Sequence, residues 1–184
     1  ENKYDDNLFP TFKDVYEQIR EVLEESEYSA DNKGDYTGAL VTRLRSLTTG
    51  INGLIFNADE ISMEELFDTN VIVDLSRIGS TETKSLIMGL LVLKLQEYRM
   101  GVSEANQHLK HVTVLEEAHN LLKRTSSEQS SESGNLLGKS VEMLANSIAE
   151  MRTYGEGFII ADQSPGLLDM SVIRNTNTKI ILRL

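Results

Sequence analysis

The sequence predicts an α/β fold, with a parallel sheet covered by helices over residues 70–184 and a mostly helical part over residues 1–69, the two together forming part of one domain. Three observations predict it. The runs NVIVDLS, HVTVL, GFIIAD and KIILRL are continuously apolar rather than alternating, as strands buried on both faces require. Segments with apolar residues at intervals of three and four separate these runs, and strands joined by helices pair in parallel through right-handed crossovers. Before Asn70 helical spacing prevails.

In order along the chain, Thr11 is placed to cap a first helix, with Asp14 at the third helical position and Phe12, Val15, Tyr16, Ile19, Val22 and Leu23 on one face. A polar break is expected from Ser29 to Asp35, and Leu40, Leu44 and Leu47 then mark a second helix up to Gly50. Gly53 to Phe56 reads as either a short strand or a turn. Ser62 with Glu65 forms a capping box over a helix of one or two turns. The strand NVIVDLS follows, then a helix from Thr81 to Met100 on Leu86, Ile87, Leu90, Leu91 and Leu95. After the strand His111 to Leu115, the serine-rich stretch Arg124 to Asn135 cannot bury a core and reads as a mobile loop, with Ser126 to Ser133 as solvent contacts or phosphorylation sites. A helix from Leu137 to Tyr154, the strand GFIIAD, a loop at Gln163 to Pro165, a short helix near Met170 and a strand from Lys179 to Leu184 complete the series. The chain begins without methionine and stops inside that last run, as expected of a segment cut from a longer protein.

Composition narrows the chemistry. The chain has 184 residues, 40% of them hydrophobic, enough for one sizeable core. Its formal net charge of -11 repels nucleic acid and anionic membrane over most of the surface, so any DNA contact is expected to be local or to lie outside this segment. It has no cysteine, which excludes disulfides, thiolate metal sites and thiol nucleophiles. No apolar run is long enough to span a bilayer and ENKYDDN is not a signal peptide, so a soluble, cytoplasmic protein is expected.

The polar residues that end the apolar runs are the candidate site. Glu116 and Glu117 follow VTVL, so both carboxylates fall at the carboxyl edge of a parallel sheet, where ligands of such sheets sit. Adjacent strand residues point to opposite faces, so one acid can serve a magnesium shell while its neighbour reaches attacking water. The plainer alternative is that two glutamates complement a helix start and bind nothing. Asp74, ending VIVDLS, suits either a hydrogen bond or outer metal shell at the site or a turn closed with Ser76. Gln163, after IIAD, has an amide that can donate to a phosphate and accept from water, or is an ordinary loop residue before Pro165. Arg152 is a helix-end partner of the dipole or a charge donated across a subunit interface, and Arg174 and Arg183 have weaker claims. His119 lies in EEAH, which is not the H-E-x-x-H of zinc proteases, and no metal role is expected of it. The counterpart expected of an acidic pair in an ATPase, a glycine-rich loop ending in Lys-Ser or Lys-Thr, is absent. The one Gly-Lys-Ser, Gly138 to Ser140, has Ser133 where the first glycine belongs and follows no strand.

In order, FPTFKDVYEQI, GLIFN, NVIVDLSRIGSTETKSLIMGLLVLKLQEYR, HVTVLEEAHNLL, EMRTYGEGFIIADQSP and VIRNTNTKIILRL resemble the later part of HerA-type ATPases of the HerA-FtsK superfamily, over nearly the whole chain. The resemblance implies an incomplete RecA-like P-loop core that, when intact, binds ATP and magnesium. It also implies a ring, as a hexamer, that couples hydrolysis to moving DNA through pore loops, or sometimes protein, with a nuclease or another effector as a further partner. By position it implies Glu116 for the magnesium shell through water, Glu117 for water activation, Gln163 for phosphate sensing and Arg152 for a neighbour's site. Glu116 departs from the family's more widespread Asp, and the Walker A loop is missing, so the segment alone is expected to be inactive. The alternative expectation is a non-catalytic α/β signalling or interaction module, with Asp74, Glu116 and Glu117 forming a metal or phospho-acceptor pocket as in receiver-like domains.

Overall fold

A computed structural model describes residues 10–57, 60–124 and 132–182 and divides the chain into two compact units, Glu1–Ser62 and Met63–Leu184. In the first unit helix α1 (Phe12–Glu25) starts on the expected capping box: Thr11 Oγ1 accepts from the Asp14 N–H, and the Asp14 carboxylate accepts from the Thr11 N–H at 2.7 Å. Phe12 meets Phe56 edge to face, with ring centroids 5.0 Å apart. The polar stretch after it is a helix rather than a break. Ser29 caps α2 (Ala30–Tyr36), which passes through a π-helical stretch, Thr37–Val41, into α3 (Thr42–Leu47). A good cap and an acid in the first turn offset the lack of an apolar face. Gly53 to Phe56 is neither strand nor simple turn, since α4 covers Gly50–Ile55. In this unit Val41 is the buried apolar side chain among the described residues, and α1 buries none.

The second unit contains α5 (Met63–Phe67), α6 (Thr81–Val102), strand β1 (His111–Glu116), α7 (Glu132–Met151), strand β2 (Glu156–Ala161) and α8 (Met170–Asn175). Ser80 caps α6 by accepting from the Thr83 N–H. The two strands form a parallel pair, with His111 opposite Glu156 and Glu116 opposite Ala161. Val92 and Leu95 of α6, Val141, Ala145, Ile148 and Met151 of α7, and Val172 of α8 pack with Leu115 into one core. That core covers one face of the sheet. Val112, Val114 and Ile159, on the opposite face by the period of two, are exposed. Gly155, at φ 86°, turns the chain from α7 into β2, and a Cβ there would lie 2.5 Å from the His108 carbonyl oxygen. A glycine is required at that position.

Two expected strands are not formed. NVIVDLS makes no ladder among the described residues, and Ile72 is 94% exposed. Lys179 to Leu182 is likewise unpaired, with Ile181 91% exposed, while 183–184, and with them Arg183, lie outside the described residues. Continuous apolarity records a demand for burial, whereas strand pairing needs an edge with free N–H and C=O groups in register. Among the described residues the sheet therefore has two strands where four were expected. Of the serine-rich stretch, 125–131 lies outside the described residues, and α7 begins at Glu132, five residues before the expected start at Leu137. Gly138, Lys139 and Ser140 fall inside α7 beyond its first turn, where backbone N–H groups are spent on carbonyls four residues back. They cannot form a phosphate cradle.

Candidate functional site

The carboxyl ends of β1 and β2 lie side by side because the strands are parallel and in register. Glu116 ends β1 on the bare face, exposed beside the apolar Val114. Glu117, the next residue, is held at φ 50° and ψ 45°, the left-handed region that a side chain with a Cβ rarely adopts. The turn that holds it is closed from both directions. The Asn120 N–H and Asn120 Nδ2 both donate to the Glu117 carbonyl, at 2.9 and 3.0 Å. Ala118, Leu121 and Leu122 are buried beneath it and tie it to the core. The helix expected after the acids is a single 3-10 turn, Ala118–Asn120.

Asp162 follows β2, one residue past the register position of Glu116 and Ala161, so it stands level with Glu117. Its side chain is 2% exposed. Its Oδ1 accepts from the Ser164 N–H at 2.7 Å, while Oδ2 accepts from the His119 N–H at 2.8 Å and lies 2.9 Å from His119 Nδ1. Burial alone would push the Asp162 carboxyl up. The hydrogen bonds from Ser164 and His119 outweigh it and hold the group below the usual carboxylate range. Glu117 Oε2 lies 3.6 Å from the same imidazole nitrogen. Glu117, His119 and Asp162 thus meet at one sheet edge, with exposed Gln163 in the turn that Asp162 shapes.

The other candidates lie elsewhere. Arg152 is exposed in the 3-10 turn before β2, at the amino end of the strands, so in this chain it does not approach Glu117. Asp74 takes the plainer of its two readings, accepting from the Ser76 N–H at 2.8 Å in a turn that also holds its carboxyl below the usual range. Among the described residues no three His, Asp or Glu side chains are grouped so as to hold a metal ion, Asp74, Glu116 and Glu117 included. Arg174 sits in the last turn of α8.

Magnesium is usually held by one or two carboxylates, several waters and substrate phosphates, and a single exposed Glu116 at a strand end fits that role. For the phosphates of a nucleotide the described residues offer no glycine-rich loop, and the chain does not fit that half of the site. Sequence reasoning named Glu116, Glu117 and Gln163 but missed the Asp162–His119 pair. The signal available was positional: Asp162 ends its apolar run as Glu116 ends the neighbouring one. Compared with known proteins, the chain matches no family model, no curated protein and no solved structure. No helix among the described residues is long and apolar enough to cross a membrane.

Proposed function

We propose that the chain is the acid-bearing part of an ATP-hydrolysing motor of the HerA-FtsK type, which forms a ring when complete and acts as a DNA translocase. The observation that carries this reading is Glu117, a glutamate forced into a left-handed turn at the carboxyl end of a parallel strand, beside the Asp162–Gln163 end of its neighbour. Such a backbone costs about 1–3 kcal/mol and persists where the surroundings over-determine it, most often at functional sites. Two further features fit a core that is completed by more chain. One sheet face bearing Val112, Val114 and Ile159 is exposed, and the apolar segments at 70–76 and 179–182 have no ladder partner among the described residues.

In this reading Glu116 would hold a magnesium ion through water, and Glu117 would orient a water molecule and take up its proton. Magnesium, when bound in the complete protein, would supply charge neutralisation for phosphoryl transfer. Gln163, exposed in its turn, offers one amide donor and one acceptor toward phosphate and water. Arg152, at the opposite end of the sheet, is available only to a neighbouring subunit. An acidic chain of net charge -11 confines any DNA contact to a few residues rather than a basic face.

The test is Glu117→Gln in the complete protein. Turnover should fall by about 100-fold or more, as for loss of a group acting on the reacting water, with ATP binding retained. Retained turnover overturns the assignment. The 184-residue chain alone should not hydrolyse ATP, since it lacks a phosphate cradle among the described residues.

A further inference from the structure

Resting on the site reading above, we infer that Asp162 is its positioning residue: one buried carboxylate that fixes the turn after Glu117 and the turn bearing Gln163 together, with His119 as its intermediary. Both oxygens are engaged, Oδ1 on the Ser164 N–H and Oδ2 on the His119 N–H and ring. The groups it sets in place, Glu117 and Gln163, are exposed, whereas Asp162 itself is shielded. It acts through its neighbours.

The chemistry of the contact fixes the imidazole. An ionised carboxylate can only accept, so in the neutral ring the proton sits on Nδ1, facing Oδ2. Nε2 is then left as an acceptor with no partner among the described residues, and the ring cannot turn over without losing its bond. The His119 N–H is pinned to Asp162 while the Asn120 N–H and side chain are pinned to the Glu117 carbonyl. Glu117 is held from one side by its own turn and from the other by the neighbouring strand.

A plain staple between the two loops is already present without Asp162. Lys123 and Leu168 form an antiparallel bridge, the Arg124 N–H donates to the Leu167 carbonyl, and the Asp169 N–H donates to the Leu122 carbonyl. The bonds of Asp162 add something the bridge does not, a common reference for Glu117 and Gln163. A shift of the Gln163 turn is passed to the residue two beyond Glu117 through a single rigid group. That couples sensing of the terminal phosphate to placement of the water.

The experiment uses the complete protein and compares kcat with KM for ATP. Asp162→Asn keeps an acceptor for Ser164 but turns an NH2 toward two N–H donors, and kcat should fall about tenfold or more with KM within about twofold. His119→Ala should fall similarly. His119→Asn, whose side-chain amide places an N–H where Nδ1–H stood, should recover kcat to within about threefold of the parent. If Glu117→Gln abolishes turnover while Asp162→Asn and His119→Ala leave kcat within twofold, the inference is overturned and the site reading stands. Equal losses in His119→Ala and His119→Asn also overturn it. Turnover that survives Glu117→Gln removes the site reading and this inference with it. Should the variants not fold, imidazole nitrogen NMR on the unaltered chain decides: the neutral His119 ring should carry its proton on Nδ1, and an Nε2–H ring overturns the inference.

Discussion

The two ends of the β1–β2 pair are built from opposite materials. At the amino end Glu156 is fully buried and completely partnered. It accepts from Arg99 Nε at 3.0 Å and from Thr113 Oγ1 at 2.7 Å, and lies 2.8 Å from His111 Nδ1. Arg99, from α6, spreads its remaining donors over Asp68 and the Phe67 carbonyl, joining α5, α6 and both strands. At the carboxyl end the acids are exposed, one of them strained, and only the supporting Asp162 is hidden. The same register that sets His111 beside Glu156 sets Glu116 beside Ala161. Polar residues near the strand starts are buried or half-buried and bonded to one another, whereas Glu116, Glu117 and Gln163 at and beyond the strand ends are exposed.

Breaking the amino end should therefore cost the most stability. Arg99→Met leaves Glu156 as a buried carboxylate without its cationic partner, a change worth about 3–5 kcal/mol when one member of a buried pair is removed. His111 and Thr113 remain on Glu156, which points to the lower part of that range. Urea unfolding of the chain measures it, and Arg99→Met combined with Glu156→Gln should recover part of the loss. A loss below about 1 kcal/mol for the single variant would mean that the network is not what joins these elements.

The carboxyl end should respond in the opposite sense. Glu117→Gly removes a Cβ from a left-handed backbone at φ 50° and should stabilise the chain, by about 0.5–1 kcal/mol after the added freedom of the unfolded glycine. The same change should abolish turnover in the complete protein. Stability gained where activity is lost is the signature of strain kept for function. A destabilised Glu117→Gly chain would show instead that the Glu117 side chain supports the fold.

These contrasts also show what the sequence could and could not disclose. The helices α1, α6, α7 and α8 were legible because apolar spacing, and for α1 the cap at Thr11, act within a few residues, whereas the Ser80 cap of α6 went unread. The strands β1 and β2 were legible for the same reason, and so were the acids that end β1. NVIVDLS and KIILRL were not, because an apolar run does not say which edge is free to pair with it. The Ser29–Asp35 stretch misled in the other direction, being mostly polar yet capped into a helix. At the site, Glu116, Glu117 and Gln163 could be named from their place after apolar runs. The pairing of His119 with Asp162 depends on β1 and β2 being adjacent and in register, and joins residues 43 positions apart, which no local pattern encodes.

The smallest expected effect compares the two ends in acid. Asp68 is held below the usual carboxylate range, chiefly by its hydrogen bond from Arg99 and then by that from Tyr98. Asp162 is lowered too, by the Ser164 and His119 donors acting against its burial. A carboxyl whose folded pKa lies below its unfolded value contributes its full stability above the unfolded pKa, about 3.9 for Asp, and loses it as pH falls through the folded value. Both groups therefore predict a loss of stability that begins near pH 4 and deepens below it. Asp68→Asn and Asp162→Asn should each flatten the acid limb of the urea midpoint plotted against pH, and the double variant should flatten it further. At the amino end the network has an alkaline limb as well. The hydrogen bond to Asp68 raises the Tyr98 hydroxyl to about 12, so its contribution is complete below pH 10 and disappears as pH rises through about 12. Tyr98→Phe should remove that limb and leave the acid contribution of Asp162 unchanged. If Asp162→Asn alters the alkaline limb, the two ends of the sheet are coupled more closely than their separate hydrogen-bond networks imply.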